Sequence, residues 1–301
     1  MKISHILIAV ILLVGILEPL NAQVDLIYGS DNRFEVEDYD NFQFIEKSRS
    51  VALRVASRKL SVDRENSELV NFSKITLRQA NPNLCNSERF SDQVALGSCS
   101  GFLVAPDKIM TAGHCIFSDL DCSHNKWIFD YQEGTEKIKK QNVYSCKKVI
   151  VQKYNYDENE IADYAVIQLD RPVKDRLPLP TRKMGVPLYN TPLVLIGHPL
   201  GLPMKIADGA RVTIPNLDER ENLLHSLKLR KNYFTANLDS YAGNSGSPVF
   251  NQVTGKVEGI LIQGADDYEE DTQNECLRSV RRGNSAKHAE EKVMRVTKIK
   301  Y

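Results

Sequence analysis

From SVALRV, at residues 50–55, to KVEGILIQG, at residues 256–264, the chain is a succession of short apolar runs cut by Gly, Pro, Asn and Asp. Between those two lie SGFLVA, KIMTA, KWIFDY, VYSCKKVIV, YAVIQL, PLVLIG, ARVTI, YFTANL and SPVF, most of them four to nine residues long and rich in Val, Ile, Tyr and Phe. Runs of this length are the right length for strands, and long helical periods are missing. The pattern predicts an all-β barrel or sandwich. The stretch LDRPVKDRLPLPTRKMGVPLYN, with its four prolines, divides the runs into two sets and reads as a connector between two β lobes. Residues 26–50 are polar and acidic with scattered aromatics and read as an extended, partly ordered leading segment. Two places could be helical: roughly 57–70, and AEEKVMRVTKI near the end, where Val293, Val296 and Ile299 form a stripe suited to a docking helix.

The first 22 residues have the layout of a secretory signal peptide, with Lys2, an apolar run from Ile6 to Leu17, and cleavage expected after Ala22. That run is short of the roughly 20 residues that span a bilayer. The expected mature protein is therefore secreted or periplasmic, with no membrane attachment after cleavage. Lys plus Arg balances Asp plus Glu at 39 each, which gives no support for a nucleic-acid or anionic-membrane partner. Six cysteines (Cys85, Cys99, Cys115, Cys122, Cys146 and Cys276) in an exported chain read as disulfides, with fifteen possible connectivities. None has CxxC spacing and the histidines are scattered, so the sequence offers no zinc site.

Three short stretches could carry chemistry. MTAGHC puts His114 after a strand and a small-residue turn; NEIADYAVIQLD puts Asp163 at the head of an apolar strand; DSYAGNSGSPVF puts Ser245 between Gly243 and Gly246. Each has an ordinary alternative: a structural histidine, a turn aspartate, a Gly/Ser turn. Serine chemistry needs a base within reach, a group to orient that base, and backbone N–H groups aimed at the developing oxyanion. The two glycines allow a sharp turn that could point the N–H groups of Gly243 and Ser245 into one cavity. His114 and Ser245 fall in different lobes, and a cleft between lobes is where they could converge.

TAGHC, DYAVIQL and GNSGSPVF, in that order, resemble the chymotrypsin-type serine endopeptidases, and CSGFLVAPDKIMTAGHC resembles that family's approach to its catalytic histidine. YGSDNR and GNSGSPVF are similar to the glutamyl-endopeptidase branch. The resemblance covers about residues 26–270. It implies two six-stranded antiparallel β-barrels with the site between them, here about 45–172 and 190–270 within a protease domain of 23–270, followed by a tail of 271–301 with its short helix. It implies His114 as general base, Asp163 as its orienter, Ser245 as nucleophile, Gly243 and Ser245 as oxyanion donors, and a Cys99–Cys115 disulfide. GILIQG resembles the strand that pairs with substrate, bringing Ile262 and Gly264 to it. The implied partner is a polypeptide substrate, met by a monomer with neither cofactor nor metal.

The resemblance has gaps. Asn244 stands where the zymogen branch has the aspartate that pairs with a new N-terminus, and an amide has no full charge to neutralise an ammonium. Leu261 stands at the glutamyl endopeptidases' specificity histidine. Asp239 has the offset of the carboxylate that binds Lys or Arg side chains in trypsin-like enzymes; alternatively it caps its turn. His198, in GHPLGLP, reads as part of a turn. Cys122 and Cys146 flank KWIFDY and could bridge it, which would leave Cys85 with Cys276. An inactive peptide-binding module on the same fold is the competing function.

Overall fold

The structure, a computed structural model, describes residues 27–157, 160–213, 232–264, 266–283 and 291–301, with backbone alone at 157 and 160. The stretch 1–22, expected to be a signal peptide, lies outside the described residues. Two closed antiparallel barrels hold the chain together, each with six strands. Around the first, Val143–Asp157 pairs with Glu160–Leu169, then come Lys108–Thr111, Cys99–Ala105, Val51–Ala56 and Asn125–Phe129, which returns to Val143–Asp157. Around the second run Pro192–Gly197, Pro248–Asn251, Val257–Gln263, Glu291–Arg295, Tyr233–Ala236 and Lys205–Thr213, which closes on Pro192–Gly197. Closure removes the open edges that an all-β chain must otherwise protect.

Both barrels feed one core. Phe102, Ile109, Trp127 and Ile167 of the first and Val194, Ile196, Phe250 and Ile260 of the second belong to a single buried cluster. The helix Phe42–Ser48, capped by Asn41, seats Phe44 edge-on against Phe250 with ring centroids 5.6 Å apart. Residues 170–190 then pass between the barrels with only an isolated bridge from Thr181 to Val257.

Three expectations change. The docking helix at the end is instead the strand Glu291–Arg295 followed by a short 3₁₀ turn, Val296–Lys298. The second barrel therefore reaches past residue 270 and takes its closing strand from the tail. A spacing of three between buried Val293, Val296 and Ile299 suits a helix, but both neighbouring strands offer ladder partners that a docked helix would leave unmet. Residues 57–70 likewise form a 3₁₀ turn, Ser57–Lys59, and the pair Leu60–Val62 and Leu69–Phe72. Asp63 turns the chain there by accepting from the N–H groups of Glu65 and Asn66 at 3.0 and 2.9 Å.

The leading segment is also firmer than its polarity suggests. Ile27 and Tyr28 are buried and pair in parallel with Arg281–Arg282, and Arg33–Glu35 joins the Lys205–Thr213 strand. Arg33 is buried because its guanidinium is paired with Asp31 at 2.7 Å and stacked 4.3 Å from the Tyr241 ring centre. Three disulfides join Cys85 to Cys276, Cys99 to Cys115 and Cys122 to Cys146. A loop the size of that between Cys99 and Cys115 is worth about 3 kcal/mol in the chain-entropy picture. Among the described residues no helix is long and apolar enough to cross a membrane.

Candidate active site

His114 sits in the 3₁₀ turn Gly113–Cys115, just beyond the strand Lys108–Thr111. The Cys99–Cys115 disulfide fastens that turn to the neighbouring strand. Its Nδ1 lies 2.7 Å from Asp163 Oδ2, and its backbone N–H donates to Asp163 Oδ1 at 2.9 Å. The Asp163 side chain is fully buried and that of His114 is 16% exposed, so the carboxylate can reach solvent only through the groups that hold it. A buried carboxylate needs its lone pairs filled, and here the imidazole fills one of them. That contact makes Nδ1 the protonated nitrogen and leaves Nε2 as the acceptor.

The serine turn is built from the other barrel. Gly243 and Gly246 have φ of +92° and +84°, the left-handed region that other residues enter at a cost. Space also requires glycine at 246, since a Cβ there would come within 2.3 Å of both Ser100 O and Thr111 Oγ1. That contact presses the turn against Thr111 and Ala112, the residues leading into His114. Cys115 Sγ is 3.8 Å from the Ser245 carbonyl oxygen, and Ser100 N donates to the same oxygen at 2.9 Å. Of the serines in DSYAGNSGSPVF, Ser240 and Ser247 are fully buried and Ser245 is partly exposed. Ser247 supports the turn by donating to Asn244 Oδ1 at 3.2 Å, and its N–H donates to Asn244 O at 2.8 Å. Among the described residues, the N–H groups of Gly243 and Ser245 find no acceptor.

Ile262 lies in the strand Val257–Gln263 and Gly264 follows it, both buried beside the turn that Leu261 anchors by accepting from Gly246 N at 2.8 Å. Asp239 does not stand open to a substrate cation. It is 3% exposed, and its two oxygens accept from Tyr28 N at 2.7 Å and Asn32 N at 2.8 Å. The carboxylate thus anchors the leading segment rather than its own turn. Burial raises its pKa to about 6, against the pull of those two N–H groups. His198 is fully buried before the 3₁₀ turn Pro199–Gly201, with Nδ1 3.0 Å from Leu202 O, and burial holds it neutral by lowering its pKa to about 3. Cys99, His114 and Cys115 bring donor atoms together, but the two sulfurs are bonded to each other and are not thiolate ligands.

Two residues that the motifs did not flag take part. Ser100 accepts from His198 N at 3.0 Å and donates to Gly243 O at 2.9 Å, tying the serine turn to the first barrel. Tyr156 brings its hydroxyl to Asp163. Ser100 was visible inside CSGF, but nothing local marks a serine as the partner of residues about 100 and 140 positions away.

Compared with known proteins, the sequence matches a family described as the trypsin-like peptidase domain over residues 99–260. No curated protein matches it. Similar solved structures include the Rv3671c protease in an inactive form, at 14% identity over 84% of this chain and 87% of that one, with a TM-score of 0.44. The active form of that protease from M. tuberculosis shares 14% identity over 94% and 90%, with a TM-score of 0.43. A Glu endopeptidase in complex with MPD shares 16% over 90% and 95%, with a TM-score of 0.48. The family match spans His114, Asp163 and Ser245 and more than half of the sequence, and on that match the chain belongs to the trypsin-like peptidase domain family.

Proposed function

We propose that this protein is a secreted or periplasmic serine endopeptidase that cuts polypeptides through an acyl-enzyme on Ser245. The observation that carries the reading is the His114–Asp163 pair, 2.7 Å apart, set against the glycine turn that exposes Ser245. In this reading Ser245 Oγ attacks the scissile carbonyl carbon while His114 Nε2 takes the hydroxyl proton. Asp163 stabilises the imidazolium so formed, and the N–H groups of Gly243 and Ser245 receive the negative oxygen. The imidazolium returns the proton to the leaving amine, and water then repeats the sequence on the acyl ester. Three disulfides support an oxidising compartment. With Asp239 occupied by the leading segment and Leu261 apolar, the geometry favours neither Lys/Arg nor Glu as the preferred side chain.

A fluorophosphonate probe tests this. The processed, disulfide-bonded protein should label, and Ser245→Ala should abolish labelling. His114→Ala should slow it by at least about a thousandfold, because members of such a triad act as a unit. A folded wild type that does not label would leave the peptide-binding module as the better account.

A further inference from the structure

Asp163 is held by more than His114. The Tyr156 hydroxyl, from the strand Val143–Asp157, donates to Asp163 Oδ2 at 2.5 Å and lies 3.2 Å from the carbonyl oxygen of Ile262. Oδ2 is also the oxygen facing His114 Nδ1, whereas Oδ1 takes the His114 backbone N–H. The carboxylate is thus pinned by three donors, and of these, among the described residues, only the tyrosine also reaches the second barrel. The hydroxyl's single proton points at Oδ2 and leaves the weaker branch of a three-centre contact to Ile262 O in the strand Val257–Gln263. Burial, with the neighbouring Asp163 charge adding to it, raises the phenol well above its ordinary range, so it remains a donor at any working pH. Its ring packs against Tyr154 at 5.3 Å, and Tyr154 in turn meets His114 at 6.3 Å.

We propose that Tyr156 is a positioning residue for the reaction: its hydroxyl fixes Asp163 against His114 and seats both beside the strand expected to pair with substrate. The proposal rests on the triad reading given above. When the proton moves from Ser245 Oγ to His114 Nε2, the new imidazolium must find Asp163 already in place, because reorientation at that moment raises the barrier. The same hydroxyl withdraws charge from Oδ2 and so limits how tightly the carboxylate holds an imidazolium.

The test is Tyr156→Phe, which keeps the ring and removes one oxygen. Phosphonylation of Ser245 by the fluorophosphonate probe, followed from pH 5 to pH 9, should fall roughly tenfold on the plateau, since a hydrogen bond to a charged group is worth that much or more. The acid limb of the profile should move to higher pH, because a carboxylate that has lost a donor binds the imidazolium more tightly. A purely structural role would lower the melting temperature and leave the limb where it was. Tyr144→Phe, on the same strand, should reproduce neither effect. The low-field proton resonance of the His114 Nδ1–H group gives a readout independent of turnover and should shift in Tyr156→Phe. A wild type that labels, with Tyr156→Phe matching it in rate, acid limb and resonance, overturns the role of Tyr156 and leaves the triad standing. A folded wild type that does not label overturns the triad reading and the proposal with it.

Discussion

Gly246 shows how much of the site depends on one missing methyl group. Its φ of +84° would cost another residue about 1 kcal/mol, and the 2.3 Å approach to Ser100 O and Thr111 Oγ1 leaves no room for a Cβ. Gly246→Ala must therefore push the serine turn away from the segment carrying His114. We expect a loss of about 2–4 kcal/mol in urea unfolding, together with at least a tenfold slower fluorophosphonate reaction. Gly134→Ala is the control: φ is +75° with no atom within 4 Å, so only the backbone strain of about 1 kcal/mol should appear, with labelling unchanged. Equal losses for the two variants would show that steric contact at Gly246 is unimportant. At this scale the sequence was partly legible. His114, Asp163 and Ser245 stand in compact motifs whose small neighbours advertise a special backbone. Tyr156 and Ser100 do not, because their roles depend on which distant group folds against them. Asp239 was conspicuous for its offset, yet its partners are 211 and 207 positions away.

Among the elements, the strand Glu291–Arg295 is the one whose identity carries consequences. It lies between Tyr233–Ala236 and Val257–Gln263, so it completes the barrel and backs the strand that contains Ile262. A helix docked on the outside could be removed at modest cost. Removing this strand exposes two sheet edges and takes the buried side chains of Val293 and Met294 out of the core. A chain ending at residue 290 should therefore fail to reach a protease-resistant, probe-reactive state, as judged by limited proteolysis and labelling after oxidative refolding. A truncated protein as resistant and reactive as wild type would return this segment to the role of a docked appendage. The other barrel strands were legible because each lies in a short apolar run with turn residues near its ends. This one was not, because three of the five residues in EKVMR are charged and its apolar spacing fits a helix as well as a strand. The decisive fact is the gap it fills, and only the folded barrel supplies that.

For the whole molecule, two buried groups with opposite pKa shifts tilt stability in opposite directions in acid. His198 titrates near 3 when folded, against an ordinary value of 6.5. Between those values the unfolded chain takes up a proton that the native protein refuses, so His198 removes stability as the pH falls from 6.5 to about 3. Asp239 behaves the other way. Its folded value near 6 lies above the ordinary 3.8, so the native protein keeps a proton that the unfolded chain releases. Asp239 thus adds stability as the pH falls from about 6 to 3.8. Each group alone tilts stability by up to about 1.4 kcal/mol per pH unit, and from pH 6 to 4 the two tilts oppose each other. Below pH 4 the loss from His198 continues without that counterweight. Urea midpoints of wild type, His198→Asn and Asp239→Asn at pH 7, 5.5, 4 and 3.5 separate the contributions. Both variants should be less stable at neutral pH, the first losing its stack on Tyr131 and the second an acceptor for Tyr28 or Asn32. Relative to wild type, however, His198→Asn should gain stability steadily as the pH falls from 7 to 3.5, and Asp239→Asn should lose it between pH 6 and 4. Variant and wild-type curves that stay parallel across this range would mean that neither buried group couples folding to acid. The general loss of carboxylate pairing would then account for the whole decline.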